Sequence, residues 1–320
     1  MPYSAEILAI AERVNNWGRW GDGDQRGTVN FVTDDVVVAA MASVRSGKRF
    51  SLAFPLQNAG LQTGAMPGRI NPLRTMVALN NPVVGDPTLF CTSDDVVTMG
   101  LQAATHWDGL CHAGYDDRMY GGRSFANVTF NGAAECGIEA IGPLTSRGVL
   151  LDIAALHGVD ELPAGHAIGR EDIEGAEARQ GVELRCGDIV AVRTGMMAKA
   201  RRGEITAYSH GEMADGMPFP GFPGIGVGAV EVFWEREVAA VATDTITFEV
   251  LPWDPAHVGA LFPVHCLHLV EMGLTQGQNW DLEDLAADCA ADGQYDFLLE
   301  ATPQPFVGGL GSPVNPVAVK

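Results

Sequence analysis

Three short apolar runs limit what this chain can fold into. Residues 148–153 read G-V-L-L-D-I, residues 187–194 read G-D-I-V-A-V-R-T, and residues 238–244 read V-A-A-V-A-T-D. Each has the length and the continuous apolar character of a buried strand. Helical patterns stand between and around them, over residues 170–180 (closed by Gly181), 228–236, 261–272 and 282–288. Upstream, Ile7, Leu8, Ile10, Ala11 and Val14 recur at helical spacing behind a Ser4 cap with Glu6 in the first turn. Thr33 caps a further helix that runs through Val44 to Gly47, and residues 50–56 and 295–301 read as strands. Residues 60–82 carry Gly, Pro and Asn throughout with no clear period, which predicts a long surface excursion or lid. Strands alternate with helices and no internal repeat or distinct linker breaks the chain, so the expectation is a single α/β domain over residues 1–320 with an N-terminal helix and Trp-rich loop in residues 1–32.

Charge narrows the partners. Against 20 Lys and Arg stand 40 Asp and Glu, a net charge of -20 that repels phosphate backbones and anionic lipid, so neither nucleic acid nor membrane is expected. No run approaches the length of a membrane span. The six cysteines, at 91, 111, 136, 186, 266 and 289, include no C-x-x-C pair, and residues 1–15 hold no apolar run after a basic start. Reduced thiols in a cytoplasmic protein are therefore expected.

The chemistry concentrates in residues 102–120, Q-A-A-T-H-W-D-G-L-C-H-A-G-Y-D-D-R-M-Y, which follow a strand-like segment at Val96, Val97, Thr98 and Met99. If the strand continues through Asp108, its period of two points Gln102, Ala104, His106 and Asp108 to one face. Gly109 permits a sharp turn that brings His112 back over that face. Two imidazoles and one carboxylate suit a divalent ion such as zinc or manganese. Taken singly, a His or Asp in a strand is more often a hydrogen-bonded structural residue, so the reading needs a second, distant half.

Residues 262–285 supply candidates for it. His265 sits near the start of a helix, and His268 one turn on shares its face, either as a ligand pair or with the second imidazole simply packed. Gln278 alone reads as a polar loop residue. Trp17 and Trp20, in the loop N-N-W-G-R-W-G-D-G-D, either anchor that loop or wall a pocket or subunit contact.

The blocks T-H-W-D-G-L-C-H, G-V-L-L-D-I, G-D-I-V-A-V-R-T-G, V-A-T-D with E-V-L-P, F-P-V-H, G-Q-N-W-D-L-E-D-L-A and G-S-P-V-N-P, in this order, resemble the putative cyclase family, the group containing bacterial kynurenine formamidase and isatin hydrolase. The resemblance runs from about Trp17 to the end of the chain. It implies a swivelling β/β/α fold, a mixed β-barrel-like sheet flanked by helices, in dimers or larger assemblies, and hydrolysis of amide or lactam bonds. The family's first block, His-x-Gly-Thr-His-x-Asp-x-Pro-x-His, matches here at Thr105, His106, Asp108 and His112, with Gln102 in place of the first His and Leu110 in place of Pro. Its second block matches a ligand at His265 and has Gln278 where the family has Glu.

The sequence thus predicts a metal-dependent hydrolase of an amide, lactam or ester bond in a small cyclic or aryl substrate. The implied ligands are His106, Asp108 and His265, with Gln102 and Gln278 as neutral supplementary donors or as their supports, and His112 as general base. One divalent ion, Mn2+ or Zn2+, is expected: with two ligands of the pattern replaced by glutamine, the set lacks an anion and a strong nitrogen donor for a second ion. Trp17, Trp20, Trp107 and Phe222 are candidate substrate walls, and Thr105 and Asp244 candidate partners that fix an imidazole tautomer. Alternatives are a metal-assisted cyclase or lyase on a polyketide-like substrate and a non-catalytic small-molecule-binding relative.

Overall fold

A computed structural model describes residues 3–213, 219–253 and 261–320. The three apolar runs lie side by side at its centre. Thr145–Asp152, Ile189–Arg193 and Ala240–Thr243 pair in parallel, and Thr275–Gln278 adds a fourth parallel strand beside Ala240–Thr243. Antiparallel strands extend both edges. Asp296–Glu300, Val317–Val319 and Arg49–Ser51 follow on one side, His106–Asp108 and Gly311–Pro313 on the other, completing a curled nine-stranded sheet. This is the expected α/β architecture, a mixed half-barrel flanked by helices.

Both faces of the central strands are buried, which is why their sequences are apolar without alternation. Val149, Leu151, Val190, Val192 and Val241 face a core closed by the helices Ala5–Val14, Arg170–Gln180 and Val227–Glu235. Leu150, Ile189, Ala191, Ala240 and Ala242 face the other core, with Trp107, Trp280 and the helix Glu283–Asp292. The helix ends follow their local chemistry. The Ser4 hydroxyl accepts from Ile7 N at 3.3 Å, and Gly181 closes its helix at φ 65°, a conformation that costs glycine little.

Three elements differ from the sequence expectation. The strand expected over 50–56 is three residues long, Arg49–Ser51. The helix expected over 261–272 begins only at Pro263, because Phe262 takes φ 52°, and widens into a π-helical stretch over Cys266–Met272. The second part of the expected excursion at 60–82 is a strand, Leu73–Pro82, paired with Cys91–Thr98 in a long hairpin. Its strands are exposed on both faces, with Met76, Val77, Leu79, Val96 and Val97 in solvent, so no alternation announces it. Among the described residues no helix is long and apolar enough to cross a membrane.

Candidate active site

The strand that carries the site is three residues long. His106–Asp108 lies between Thr275–Gln278 and Gly311–Pro313, with Gln278 and Pro313 opposite His106 and Gln276 and Gly311 opposite Asp108. Directly opposed residues project to the same face, so His106, Asp108, Gln276 and Gln278 form one polar patch while Trp107 turns away from it. Residues 101–105 are turns and not strand, so Gln102 reaches this patch by another route. Its amide nitrogen sits 2.7 Å from where a Cβ on Gly311 would be, in space that only glycine leaves open on the Asp108 side.

Asp108 is the centre of the patch. Gln278 Nε2 donates to Asp108 Oδ2 at 2.7 Å. The other oxygen, Oδ1, stands 3.4 Å from His106 Nε2 and 3.7 Å from His112 Nε2. His106 is oriented through Nδ1, 2.7 Å from the Ala104 carbonyl, and His112 by a tight turn in which its N–H donates to Gly109 O at 2.9 Å. His106 Nε2 and Asp108 Oδ1 are fully enclosed yet have no hydrogen-bond partner. Burial alone would raise the Asp108 pKa, but the imidazoles of His112, His106 and His265 outweigh it and hold the carboxyl well below the usual range. His112 is pushed below the ordinary imidazole range, chiefly by burial, against the pull of Asp108. Unpartnered buried nitrogen and anionic oxygen side by side fit a divalent cation, which would satisfy both at once.

The distant half comes from the helix at Pro263–His265. Buried Glu249 accepts from Val264 N at 3.1 Å and His265 N at 3.2 Å, and from the His265 ring at Nδ1, so Nε2 is the free nitrogen of a ring that lines the cavity beside the patch. The sequence reading missed Glu249. Its signal was present in a lone Glu within an apolar segment that closes on F-P-V-H. His268 is the packed member of the pair: it is fully buried beside Phe233 and Phe248, with Nδ1 3.1 Å from Gln276 Nε2, and burial, helped by His265, drives its pKa down to about 3.

His112, His265 and Gln278 line a cavity of 620 Å³. Its walls are apolar and aromatic, among them Met66, Phe125, Ile246 and Phe262. None of the four expected wall residues is there. Trp107 is fully buried in the opposite core, stacked edge-on against Trp280 and donating to Ala301 O at 2.7 Å. Trp17 pins the N-terminal loop by donating to Val270 O at 2.7 Å. Trp20 packs on Phe31 beneath Arg19, and Phe222 packs with Met196, Ile246 and Leu251. The expected tautomer partners also act elsewhere. Asp244 accepts from Thr194 N and Oγ1 and from Gly195 N, and Thr105 Oγ1 links Phe54 N to Asn279 O.

A second His–His–Asp group lies apart from the cavity. His157, His166 and Asp172 present donor atoms all within 4.8 Å of one another. Asp172 accepts from His157 Nε2 at 2.6 Å and from Gly169 N at 3.0 Å, capping the helix Arg170–Gln180.

Fold and site together define a class: an α/β protein with a buried His–Asp–His patch opening on an apolar cavity. The family described as putative cyclase matches residues 40–250, and the chain belongs to that family. A crystal structure of a novel cyclase is 37% identical over 97% of this chain and 99% of its own, with a TM-score of 0.84. Isatin hydrolase A from Labrenzia aggregata, bound to benzyl benzoate, is 19% identical over 89% of this chain and 97% of its own, with a TM-score of 0.59. An isatin hydrolase bound to the product analogue thioisatinate is 16% identical over 90% and 98%, with a TM-score of 0.60. The last two likenesses are of fold. No match is found among proteins of curated function.

Proposed function

We propose that this protein is a metal-dependent hydrolase that cleaves an amide, lactam or ester bond of a small cyclic or aryl substrate. One observation carries the reading: His106 Nε2 and Asp108 Oδ1 are buried, adjacent and unpartnered behind an apolar cavity. The isatin hydrolases that share the fold add to it. His106, Asp108 and His265 would hold one divalent ion, Mn2+ or Zn2+, with Gln278 steadying Asp108 through Oδ2 and Gln102 beside Gly311 as a further neutral donor. When bound, such an ion lowers the pKa of a water toward neutrality and polarises a carbonyl.

The chain's own groups do the rest. Phe125, Phe262, Ile246 and Met66 hold the apolar body of the substrate and keep bulk water away from the scissile bond. His112 takes the proton of the attacking water and returns it to the leaving group. Its depressed pKa keeps the imidazole neutral near pH 7, the form in which a base accepts. Glu249 holds the Nδ1 side of His265, which leaves Nε2 as the ring nitrogen that would bind an ion.

Metal analysis of protein purified without added metal, followed by a screen of formamides, lactams, imides and lactones in 18O water, tests this. A retained divalent ion and solvent oxygen in the product are expected. A retained ion with turnover that incorporates no solvent oxygen would replace hydrolysis by a lyase or cyclase reaction.

The proposal extends to a cytoplasmic homo-oligomer, a dimer or tetramer. The support for assembly is the hairpin Leu73–Pro82 and Cys91–Thr98, on which Met76, Val77, Leu79, Val96 and Val97 are exposed apolar side chains. Sedimentation equilibrium should give a multiple of 33.9 kDa, and a monomer at micromolar concentration would remove this part of the proposal.

A further inference from the structure

We infer that the substrate of this cavity carries an anionic group, a carboxylate or an oxygen acid of like charge, and that Arg69 receives it. The inference rests on reading the cavity as the substrate site. Arg69 lines the same wall set as His112, His265 and Gln278. Its Nη1 is enclosed and has no hydrogen-bond partner, and among the described residues no carboxylate pairs with it. Other enclosed basic side chains of this acidic chain are paired: Arg147 with Asp188, Arg193 with Asp152 and Glu283, Lys199 with Glu161 and Glu212. A guanidinium nitrogen removed from water without a partner is costly even on a half-buried side chain, and an incoming anion recovers that cost through charge-assisted, two-pronged hydrogen bonds.

The loop that carries Arg69 is built to hold it there. Gln62 N donates to Asn71 Oδ1 at 2.9 Å and Asn71 Nδ2 donates back to Gln62 O at 2.8 Å, closing the loop at its base. Gln62 Nε2 then ties that base to Ala103 O at 2.9 Å, three residues before His106. A Cβ on Gly60 would lie 2.6 Å from Asn71 Oδ1, so the clamp also needs that glycine. Within the loop, Arg69 N donates to Met66 O at 3.3 Å, and Met66 itself lines the cavity. Among the described residues no Asp, Glu or Lys lines the cavity. Apart from the ion that His106, Asp108 and His265 would hold, an anion that enters meets one guanidinium, the enclosed and unpartnered hydroxyl of Thr247, and otherwise neutral walls.

Benzoate and benzamide, equal in shape and different in charge, separate this from general aromatic binding. Calorimetry on the protein as purified should give benzoate about tenfold tighter binding than benzamide, with the preference shrinking as salt rises. Arg69→Met should remove the preference by weakening benzoate binding far more than benzamide binding. Arg69→Lys, which keeps the charge without the planar fork, should restore part of it. Benzoate preference that persists in Arg69→Met would place the anion elsewhere and overturn the inference, as would a wild-type protein that does not distinguish the two. These are equilibrium measurements. If no amide or ester is cleaved, the hydrolase reading fails while the Arg69 result stands or falls on its own.

Discussion

Two groups of two histidines and one aspartate stand in this molecule, and proximity alone would choose the one outside the proposed active site. His157, His166 and Asp172 have donor atoms all within 4.8 Å of one another. His106, Asp108 and His112 are more loosely spaced, with Asp108 Oδ1 at 3.4 Å and 3.7 Å from the two rings. Their surroundings reverse the order. Asp172 already has His157 Nε2 and the Gly169 N–H as partners, and its helix end is complete. In the other group His106 Nε2 and Asp108 Oδ1 are fully buried with no partner, and His112 opens on a cavity. A folded chain leaves such atoms unsatisfied only where something else satisfies them. His166 Nε2 is also enclosed without a partner, but both Asp172 oxygens already accept hydrogen bonds, so an unpaired buried carboxylate oxygen, more than donor spacing, sets the proposed metal centre apart from the other cluster.

The largest test of this difference exchanges the same side chain in both groups. Asp108→Asn should remove the bound ion and reduce turnover to background, because it deletes the anion of the proposed ligand set. Asp172→Asn should leave both unchanged. Metal content by elemental analysis and initial rates read the two variants side by side, and an active Asp108→Asn protein would break the comparison.

Within the buried group, His112 and His106 should also part company. His112→Ala should keep the ion and lose about a hundredfold to ten thousandfold in turnover, the usual effect of deleting a general base. Loss of metal stoichiometry in His112→Ala would make His112 a ligand and leave the base unassigned.

What the sequence disclosed here follows from how each residue is constrained. The central strands were legible because burial on both faces demands unbroken apolar runs such as V-L-L at 149–151. His106 and Asp108 were legible as one face of a strand, and His112 as the return of a turn at Gly109, since those relations are local. Trp107 was misassigned by the same rule it obeys: with its neighbours facing the site, a period of two sends it into the opposite core. Glu249, Arg69 and the Gln62–Asn71 clamp were illegible because each acts across the chain, on His265, on the cavity, and on Ala103. Of the hairpin at residues 73–98 only the end at Val96, Val97 and Thr98 was legible as strand, and its pairing with residues 73–82 was not, because an exposed strand has no burial to print a pattern.

A smaller effect concerns the number of ions. Gln278 Nε2 lies 2.7 Å from Asp108 Oδ2, a direct hydrogen bond that an ionised carboxylate at this position could not make without a proton or a cation between the two. One ion per chain is therefore expected by elemental analysis. Gln278→Glu should raise the ratio above one when metal is in excess, because it supplies the missing anion. A wild-type ratio of two that persists in Asp172→Asn would mean that the glutamines do not limit the centre to one ion.

The smallest effect belongs to the surface group and is one of stability. Burial would raise the Asp172 pKa, but the nearby His166 imidazole and the hydrogen bonds from the Gly169 N–H and His157 outweigh it and bring it down to about 2 from an ordinary 3.8. A carboxyl whose pKa is lower folded than unfolded stabilises the native state above its unfolded pKa and loses that contribution as pH falls through the folded one. The contribution of Asp172 should thus be complete above about pH 4 and gone near pH 2. Asp172→Asn should cost about 1 kcal/mol near neutrality, the usual worth of a helix-terminal partner, and nothing at the acid end. Denaturant unfolding of both proteins at pH 7 and pH 2.5 measures the convergence. Zinc supplies the opposing outcome, since an ion held by the folded state alone raises the melting temperature. A zinc-dependent rise that survives Asp108→Asn and disappears in Asp172→Asn would make the surface group a metal site after all, and the unmet demand of His106 and Asp108 would no longer set the two groups apart.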